Sequence, residues 1–439
     1  MYIFYHFQLK KMLILYICII FLFSINITYG EFDIPSTWCI VGSGARAIGT
    51  NAFLASADDA TAASWNPGGL VQVELNEYSV VIDITDITEN LSFGKHPEAD
   101  GKNGISDTSI NYFGFISSFE KYGYNMSFAL TYQKLYSFNR SWTFNYIEDF
   151  PTIKRNEVWN YKQTGALSAL GLSYCIEVLK PKLALGFTLN FWDNGLSPNQ
   201  WKQTYDWEGE ISIFGNDEIF HKHHKVEEYT FDGFNLNLGL LWAVNYKLSI
   251  GAVLKTPFTA DIFYTKNSWH TNQNSTSQAL NERLKMPISY GVGFLYRFSD
   301  QLYIAADFYR IQWDDFIYIH KNGTETCPIN NKAVSESDID PTHQIRIGAE
   351  YLFLNKHNDS GIPIRAGIFY DPSPAEKNPD DYYGFSIGTG FIKNSIGSID
   401  IAYQYRFGNN VATSGLDHLG FSQDIREHKV YLSMICYQN

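Results

Sequence analysis

From residue 76 onward, apolar and polar side chains alternate along the chain with a period of two. In the segment 398–407, isoleucine, tyrosine and phenylalanine take the odd positions, while Ser398, Asp400 and Gln404 lie between them. The segment 342–353 repeats the pattern. Successive side chains of a strand point to opposite faces, so each segment is predicted to be a strand with one apolar and one polar face. A water-soluble sandwich would alternate in the same way, so strand length and connections must decide between the two fold classes.

The alternating segments are long and about fourteen in number, each near or above the ~9–11 residues that cross a membrane at a tilt. We therefore predict an all-β fold, a transmembrane antiparallel β-barrel of about fourteen strands. The predicted strands lie near 77–90, 108–120, 122–137, 156–176, 182–193, 226–246, 248–264, 285–298, 301–319, 342–354, 362–370, 382–393, 396–407 and 426–437.

Short and long connections alternate between these segments. Turns of a few residues occur at 120–123, 179–182, 245–247, 298–301 and 393–396, and the connection at 355–361 is somewhat longer. Long polar stretches occur at 139–155, 194–225, 266–284, 320–341 and 408–425. Tight periplasmic turns and extended external loops are typical of outer-membrane barrels, and an even strand count places both chain ends in the periplasm. Aromatic residues near strand ends are predicted to form interfacial girdles: Tyr296, Trp313, Phe316, Tyr351, Phe353, Tyr403, Tyr405 and Phe407.

The N-terminus carries a secretion signal, which we assign to residues 1–30. Lys10 and Lys11 precede an apolar run at 12–27, and small residues follow. A membrane anchor is the alternative, but the run is shorter than the ~20 residues of a spanning helix. The chain has 46 acidic and 33 basic residues, which argues against a nucleic-acid partner.

Several motifs that suggest a cofactor, a metal or catalysis lack the context that such sites need. The glycine-rich stretch 40–49 resembles a dinucleotide loop but is followed by no second parallel strand. His221, His223 and His224 have no partner carboxylate or cysteine at ligand spacing. No serine has a recognisable nucleophile context, and His343 is an isolated candidate base. We therefore predict no cofactor, no metal site and no catalytic residues.

Residues 31–75 do not alternate and are rich in glycine and alanine. They contain Asp59-Ala-Thr61 and Asn66-Pro67-Gly68-Gly69-Leu70, after a Gly-Ala-Arg-Ala stretch. Further along the chain stand Ala306-Asp-Phe-Tyr309 and Arg365-Ala-Gly-Ile-Phe-Tyr-Asp-Pro-Ser-Pro374. Together these motifs resemble the FadL/TodX family of bacterial outer-membrane transporters for hydrophobic compounds. Gly68 stands where that family usually has alanine, and the chain lacks the terminal aromatic residue usual for barrel insertion.

This resemblance implies passive uptake of hydrophobic compounds such as long-chain fatty acids. It also implies that residues 31–75 form a plug inside a barrel of residues 76–439. Asn66, Pro67 and Gly68 are predicted to be the hinge of that plug, since an Asn-Pro pair cannot continue a helix and glycine widens the backbone choices. A turn that merely fills the barrel base remains the alternative. The same motif also resembles PorV-type barrels, which are partners in protein secretion, and this is the alternative function.

The expected partners are hydrophobic small molecules, namely fatty acids, other lipids or hydrocarbons. The lipid of the outer membrane and the barrel-assembly machinery are further expected partners. Phe214, Ile219 and Phe220 are apolar residues in a predicted external loop, where they would capture ligand, or else pack within the loop itself. The sequence indicates neither the cargo nor the lumen residues that contact it.

Overall fold

The computed structural model describes residues 39–213, 218–271, 273–393, 396–411, 416 and 419–438. The predicted signal peptide, the start of the predicted plug and Phe214 lie outside these residues. None of the helices in the described ranges is long and apolar enough to cross a membrane. The strands are β1 Cys39–Ile40, β2 Asn76–Phe93, β3 Gly101–Lys121, β4 Tyr124–Ser137, β5 Arg140–Asp149, β6 Ile153–Leu179, β7 Leu183–Trp192, β8 Asn199–Ile213, β9 Ile219–Ala243, β10 Leu248–Lys255, β11 Phe258–His270, β12 Thr276–Met286, β13 Ser289–Arg297, β14 Leu302–Ile311, β15 Ile317–Ile319, β16 Glu325–Thr326, β17 Thr342–Asn355, β18 Ser360–Tyr370, β19 Tyr383–Lys393, β20 Gly397–Val411 and β21 Phe421–Gln438. The α-helices are α1 Ala45–Thr50 and α2 Ala62–Trp65, and 3₁₀ turns occur at Pro67–Gln72, Pro97–Ala99, Trp313–Asp315 and Val334–Glu336.

Fourteen strands pair antiparallel with their neighbours in a closed ring, which confirms the predicted barrel. In order these wall strands are β2, β3, β4, β6, β7, β9, β10, β13, β14, β17, β18, β19, β20 and β21, and β21 pairs with β2 again. Closure pairs the first wall strand with the last, as a sheet in lipid needs because hydrocarbon cannot satisfy backbone polar groups. Each of the fourteen predicted strands overlaps one wall strand.

The two faces of the wall differ as the alternation predicts. In β20 the side chains of Ile399 and Ile401 are exposed on the outside, while Ser398, Asp400 and Gln404 are buried inside. Exposed isoleucine, leucine and phenylalanine residues recur around the wall and form an outer apolar belt. The belt fits a hydrocarbon environment, and the polar inner face leaves room for a structured interior.

Four strands extend the wall beyond this belt on one side of the barrel, where the sequence predicts long loops. β5, β8, β11 and β12 continue β4, β7, β10 and β13 after short breaks and pair with β6, β9 and one another. Pro198, Pro257 and Pro287 lie in three of the breaks, since proline has no N–H for the ladder. The prediction of loops throughout 139–155, 194–225 and 266–284 is therefore wrong. These strands look polar because their outer face meets water rather than lipid.

The girdle prediction is wrong for two of its residues. Trp313 and Phe316 are fully buried and lie in an interior core cluster. Tyr296, Tyr351 and Phe353 are exposed on the outer face of their strands, where interfacial residues are expected. Trp313 and Phe316 fall in and beside a 3₁₀ turn after β14, so the period of two does not apply to them.

Candidate functional site

Residues 39–75, here called the N-terminal segment, lie inside the ring of strands. Helix α1 contacts β17 to β21, whereas the 3₁₀ turn Pro67–Gln72 contacts β4, β6, β7, β9 and β10. A segment that touches strands around the whole ring must occupy its interior. Most of its side chains are buried, and most of its alanine residues form one core cluster with inward-facing residues of the wall. The segment has no core of its own, so the barrel supplies the packing that holds it.

The predicted hinge, Asn66-Pro67-Gly68, is fully buried against β7 and β9. The Asn66 Nδ2 atom donates to the carbonyls of Leu54 (2.6 Å) and Leu240 (2.9 Å), and Asn66 Oδ1 accepts from the Gly68 amide. A Cβ atom on Gly68 would lie 2.8 Å from the backbone of Leu240, closer than carbon atoms approach without strain. The wall itself has glycines facing this turn, at 186 and 239. These residues therefore fasten the segment to the wall in the described conformation.

A charged network near the periplasmic end fastens helix α1 to strands β17, β18 and β20, across the barrel from Asn66-Pro67-Gly68. Arg365 pairs with both Asp400 and Glu350 at 2.6 Å. Arg46 of α1 lies 3.0 Å from Asp58 and 3.7 Å from Asp400, so the network joins wall and segment. Every charge in this group has an opposite partner, as buried charges require.

Asp59 lies next to this network within the segment. Its Oδ1 atom accepts from the Thr61 amide at 2.8 Å and from the Thr61 hydroxyl. Burial raises the pKa of Asp59, and the positive charge of Arg46 opposes this effect. The carboxyl is therefore held in a low-dielectric environment at the base of the barrel.

Asp307 ties the middle of the segment to strand β14. One carboxylate oxygen, Oδ2, accepts from the amides of Phe53 (2.7 Å) and Leu54 (3.1 Å). Phe53 in turn packs on Trp65, with ring centroids 3.6 Å apart. Asp307, Phe53 and Trp65 all line a cavity inside the barrel, so a molecule in that cavity would contact the segment directly.

A cavity of about 180 Å³ lies between the N-terminal segment and the external end of the barrel. Strands β4 to β14 give it an aromatic side, whereas β17 to β21 and the loop after β18 give it a charged side. The aromatic side contains Tyr136, Trp192, Phe258, Tyr309 and Trp313, and the charged side contains Arg346, Asp371, Arg406, Glu427 and Lys429. Such a lining suits a molecule that has both an apolar body and a polar end.

The charged side is internally paired. Arg406 lies 2.8 Å from Glu427 and 3.8 Å from Asp371, and Arg346 lies 3.5 Å from Asp371. Lys429 lies 3.0 Å from Glu427. The positive and negative side chains on the charged side of the cavity therefore neutralise one another.

Lys255 differs from these residues because it faces the cavity from the aromatic side. It makes no ion pair within the described ranges of the chain. Its Nζ atom lies 5.8 Å from the ring of Trp65 and 6.0 Å from that of Tyr309. An ammonium group beside apolar surface is costly unless an anion or several dipoles compensate it. Among the described cavity-lining residues, the Lys255 ammonium therefore lies beside aromatic rings and not beside a carboxylate.

The predicted capture residues lie apart from this cavity. Ile219 and Phe220 begin β9 at the external tip of the extended sheet, where they are 56% and 58% exposed. Neither lines the cavity. Sequence reasoning missed Lys255, Asp307 and the aromatic lining, although Asp307 stands in the Ala-Asp-Phe-Tyr motif. A lysine at an inward position of the otherwise apolar strand β10 was the available signal.

Wall strand β4, the third strand of the ring, stops pairing with β3 beside the cavity. The ladder between β3 and β4 ends at Tyr112 and Gln133, and β5 pairs with β6 but has no ladder to β3 among the described residues. The register of β4 against β6 shifts between Lys134 and Tyr136. Leu135, Tyr136, Asn139 and Arg140 line the cavity at this break.

Comparisons with known proteins agree with this architecture. Residues 36–424 match the family model described as outer membrane protein transport protein (OMPP1/FadL/TodX). The sequence matches none of the curated proteins. Among solved structures, a FadL homologue from Pseudomonas aeruginosa is 12% identical, with a TM-score of 0.61 over 92% of this chain and 99% of that one.

Two solved aromatic-compound channels are also similar. The toluene transporter TodX from Pseudomonas putida and the monoaromatic hydrocarbon channel CymD are each 14% identical, with TM-scores of 0.52 over 92% of this chain and 99% of theirs. At such identities the likeness establishes the fold alone. The family model, however, spans the whole N-terminal segment and nearly the whole wall. This chain belongs to the OMPP1/FadL/TodX family of outer-membrane transport proteins.

Proposed function

We propose that this protein carries hydrophobic molecules with an anionic head, such as long-chain fatty acids, passively across the outer membrane. The observation that supports the proposal is Lys255, which has no ion pair within the described part of the chain and faces the cavity from its aromatic side. A carboxylate at Lys255 would complete the charge, while the acyl chain would contact the rings of Tyr136, Trp192 and Phe258. A bare hydrocarbon would leave the ammonium uncompensated, which disfavours toluene-like cargo for this chain.

In this proposal the N-terminal segment acts as a plug that closes the barrel below the cavity. Asn66, Pro67 and Gly68 would be the fixed point of its motion, because they are fully buried against β7 and β9 and Asn66 donates to the Leu240 carbonyl of the wall. Phe53 and Trp65 line the cavity and are the segment residues that would respond to ligand. A turn that only fills the barrel remains the alternative.

The release route we propose is sideways, through the break beside β4. The residues at that break line the cavity, and the segment itself covers the break, because β1 pairs with β4 at Tyr136 and Ser137. A ligand leaving there would pass between β3 and β5 once β1 separates from β4. Capture at Phe214, Ile219 and Phe220 stays a separate prediction, since Ile219 and Phe220 lie at the external tip.

Uptake of radiolabelled oleate tests the transport proposal. Cells that lack the protein should take up less oleate, and the wild-type gene should restore uptake. Unchanged oleate uptake together with a loss of secreted proteins would favour the secretion-partner role, which neither the family match nor the similar structures support. We propose no catalytic activity, since the family is one of transport proteins.

The role of Lys255 is tested by Lys255→Met with two ligands. A charge-assisted hydrogen bond contributes about 1.5–3 kcal/mol, so the variant should bind laurate roughly 10- to 100-fold more weakly. Binding of dodecanol, which has no charge, should change little. Lys247→Met, in the turn before β10, is the matched control. Equal weakening for both ligands would mean that Lys255 only shapes the cavity.

A further inference from the structure

Two external loops are interlocked above the cavity. The first loop, residues 320–341, follows β15, and the second, residues 371–382, follows β18. The Lys377 amide donates to the Asp338 carbonyl at 2.7 Å, and Ile339 forms an antiparallel bridge with Glu376. Lys332 forms an ion pair with Glu376 across the same junction. The two loops therefore form one unit held by backbone and side-chain contacts.

The underside of the first loop is apolar and packs onto the cavity walls. Cys327, Ile329 and Ile339 are buried in one cluster with cavity-lining residues such as Trp313 and Met286. The loop thus continues the aromatic side of the cavity upward.

The second loop meets the cavity through its own residues. Pro372 and Pro374 line the cavity, and Tyr382 packs under the Arg406 guanidinium at 3.7 Å from the ring centroid. Asp371 contacts Arg346 and Arg406 on the charged side. The first loop thus packs on residues of the aromatic side, the second lines the charged side, and the two loops join at the external end of the barrel.

We propose that these two loops are an external lid, which must part at the junction of Ile339 and Glu376 before a ligand can reach the cavity from outside. The identity of the ligand that the lid admits rests on the proposed function, whereas the opening of the lid does not. Its apolar underside would close behind an apolar ligand and exclude water. The junction lacks the continuous backbone ladder that joins wall strands, and its Lys332–Glu376 ion pair is partly exposed, so separating the loops costs far less than disrupting a wall ladder.

A disulfide lock tests the lid in the full-length protein. Partners of an antiparallel bridge lie about 4.5–5.5 Å apart at Cα, which suits a disulfide. Ile339→Cys with Glu376→Cys joins the two loops, whereas Thr326→Cys with Ala333→Cys, also a bridge, joins positions within the first loop only. Both are made with Cys327 and Cys436 replaced by alanine. The probe is 12-bromododecanoate, which quenches tryptophan fluorescence when it enters the cavity.

Oxidation of the interloop pair should slow quenching at least tenfold, and reduction should restore it, while the control pair shows no change. Equal rates in the oxidised and reduced interloop variant would overturn the lid. If the probe quenches in no variant, the fatty-acid proposal fails. A ligand-free measurement then decides the lid.

That measurement is amide hydrogen exchange of the two loops. Lys332→Glu should speed exchange at 327–339 and 372–380 about two- to five-fold, the scale of one exposed ion pair. The charge swap Lys332→Glu with Glu376→Lys should return exchange close to that of the wild type. Unchanged exchange in the single variant would show that the Lys332–Glu376 ion pair does not hold the two loops together, and would overturn the lid.

Discussion

Replacing Gly68 with alanine probes a close backbone contact between the N-terminal segment and the wall. The new Cβ atom would lie 2.8 Å from the Leu240 carbonyl carbon and the Leu241 nitrogen, which are backbone atoms of a paired strand and cannot move aside. Overpacking of this kind costs about 1–3 kcal/mol. If the segment retreats, it also loses the Asn66 bond to the Leu240 carbonyl, at about 1 kcal/mol. We therefore expect docking of the segment to weaken by about 2–4 kcal/mol while the barrel stays closed.

Limited proteolysis and single-channel conductance in planar bilayers measure this effect. Gly68→Ala should make residues 39–75 sensitive to protease and raise the frequency of open events, without loss of the heat-modifiable barrel band on gels. Gly101→Ala is the control, because a Cβ there would meet no atom within 4 Å. Protease resistance and conductance equal to those of the wild type and the control would refute the packing argument.

Two further predictions concern charged groups. Arg365→Met leaves Glu350 and Asp400 buried without their main partner, so the barrel should lose about 3–5 kcal/mol and its thermal midpoint should fall; an unchanged midpoint would contradict the network. Burial raises the pKa of Glu98, but hydrogen bonds from backbone amides, including that of Ile147, and from a neighbouring histidine outweigh it and lower the pKa. Because the pKa of Glu98 is lower in the folded state, its carboxylate stabilises the fold at pH values above its ordinary pKa. This stabilisation is lost as the pH falls through the folded-state pKa, so hydrogen exchange of the β5 amides should quicken only in acid.

The wall was predictable from the sequence because lipid imposes a strict requirement on it. Every membrane strand must present an apolar outer face, and thus the predicted strand 342–354 agrees with Thr342–Asn355. Strand β8 carries no such face, since its outer side meets water, and it was mistaken for a loop. Its inward aromatics, Trp201, Tyr205 and Trp207, were the available signal.

The site was less predictable because it depends on which strands meet across the lumen. Lys255 and Asp307 stand in different strands, and only the ring places both beside Trp65 and Phe53. The Asn66 motif could be identified from the sequence, but its partners could not, because Leu240 is far away along the chain.

The strands that extend past the apolar belt give this barrel a taller profile on one side. In β6 the extension runs from Ile153 to Gln163, which at ~3.3 Å per residue and a tilt of ~40° raises its tip by roughly 25 Å. Stacked rings such as Trp159 on Trp207, with centroids 4.4 Å apart, stiffen it from within. Ile219 and Phe220 are thereby held at the tip of this extension, beyond the apolar belt. If they capture ligand as predicted, Ile219 and Phe220 would meet apolar molecules in water, ahead of the membrane surface.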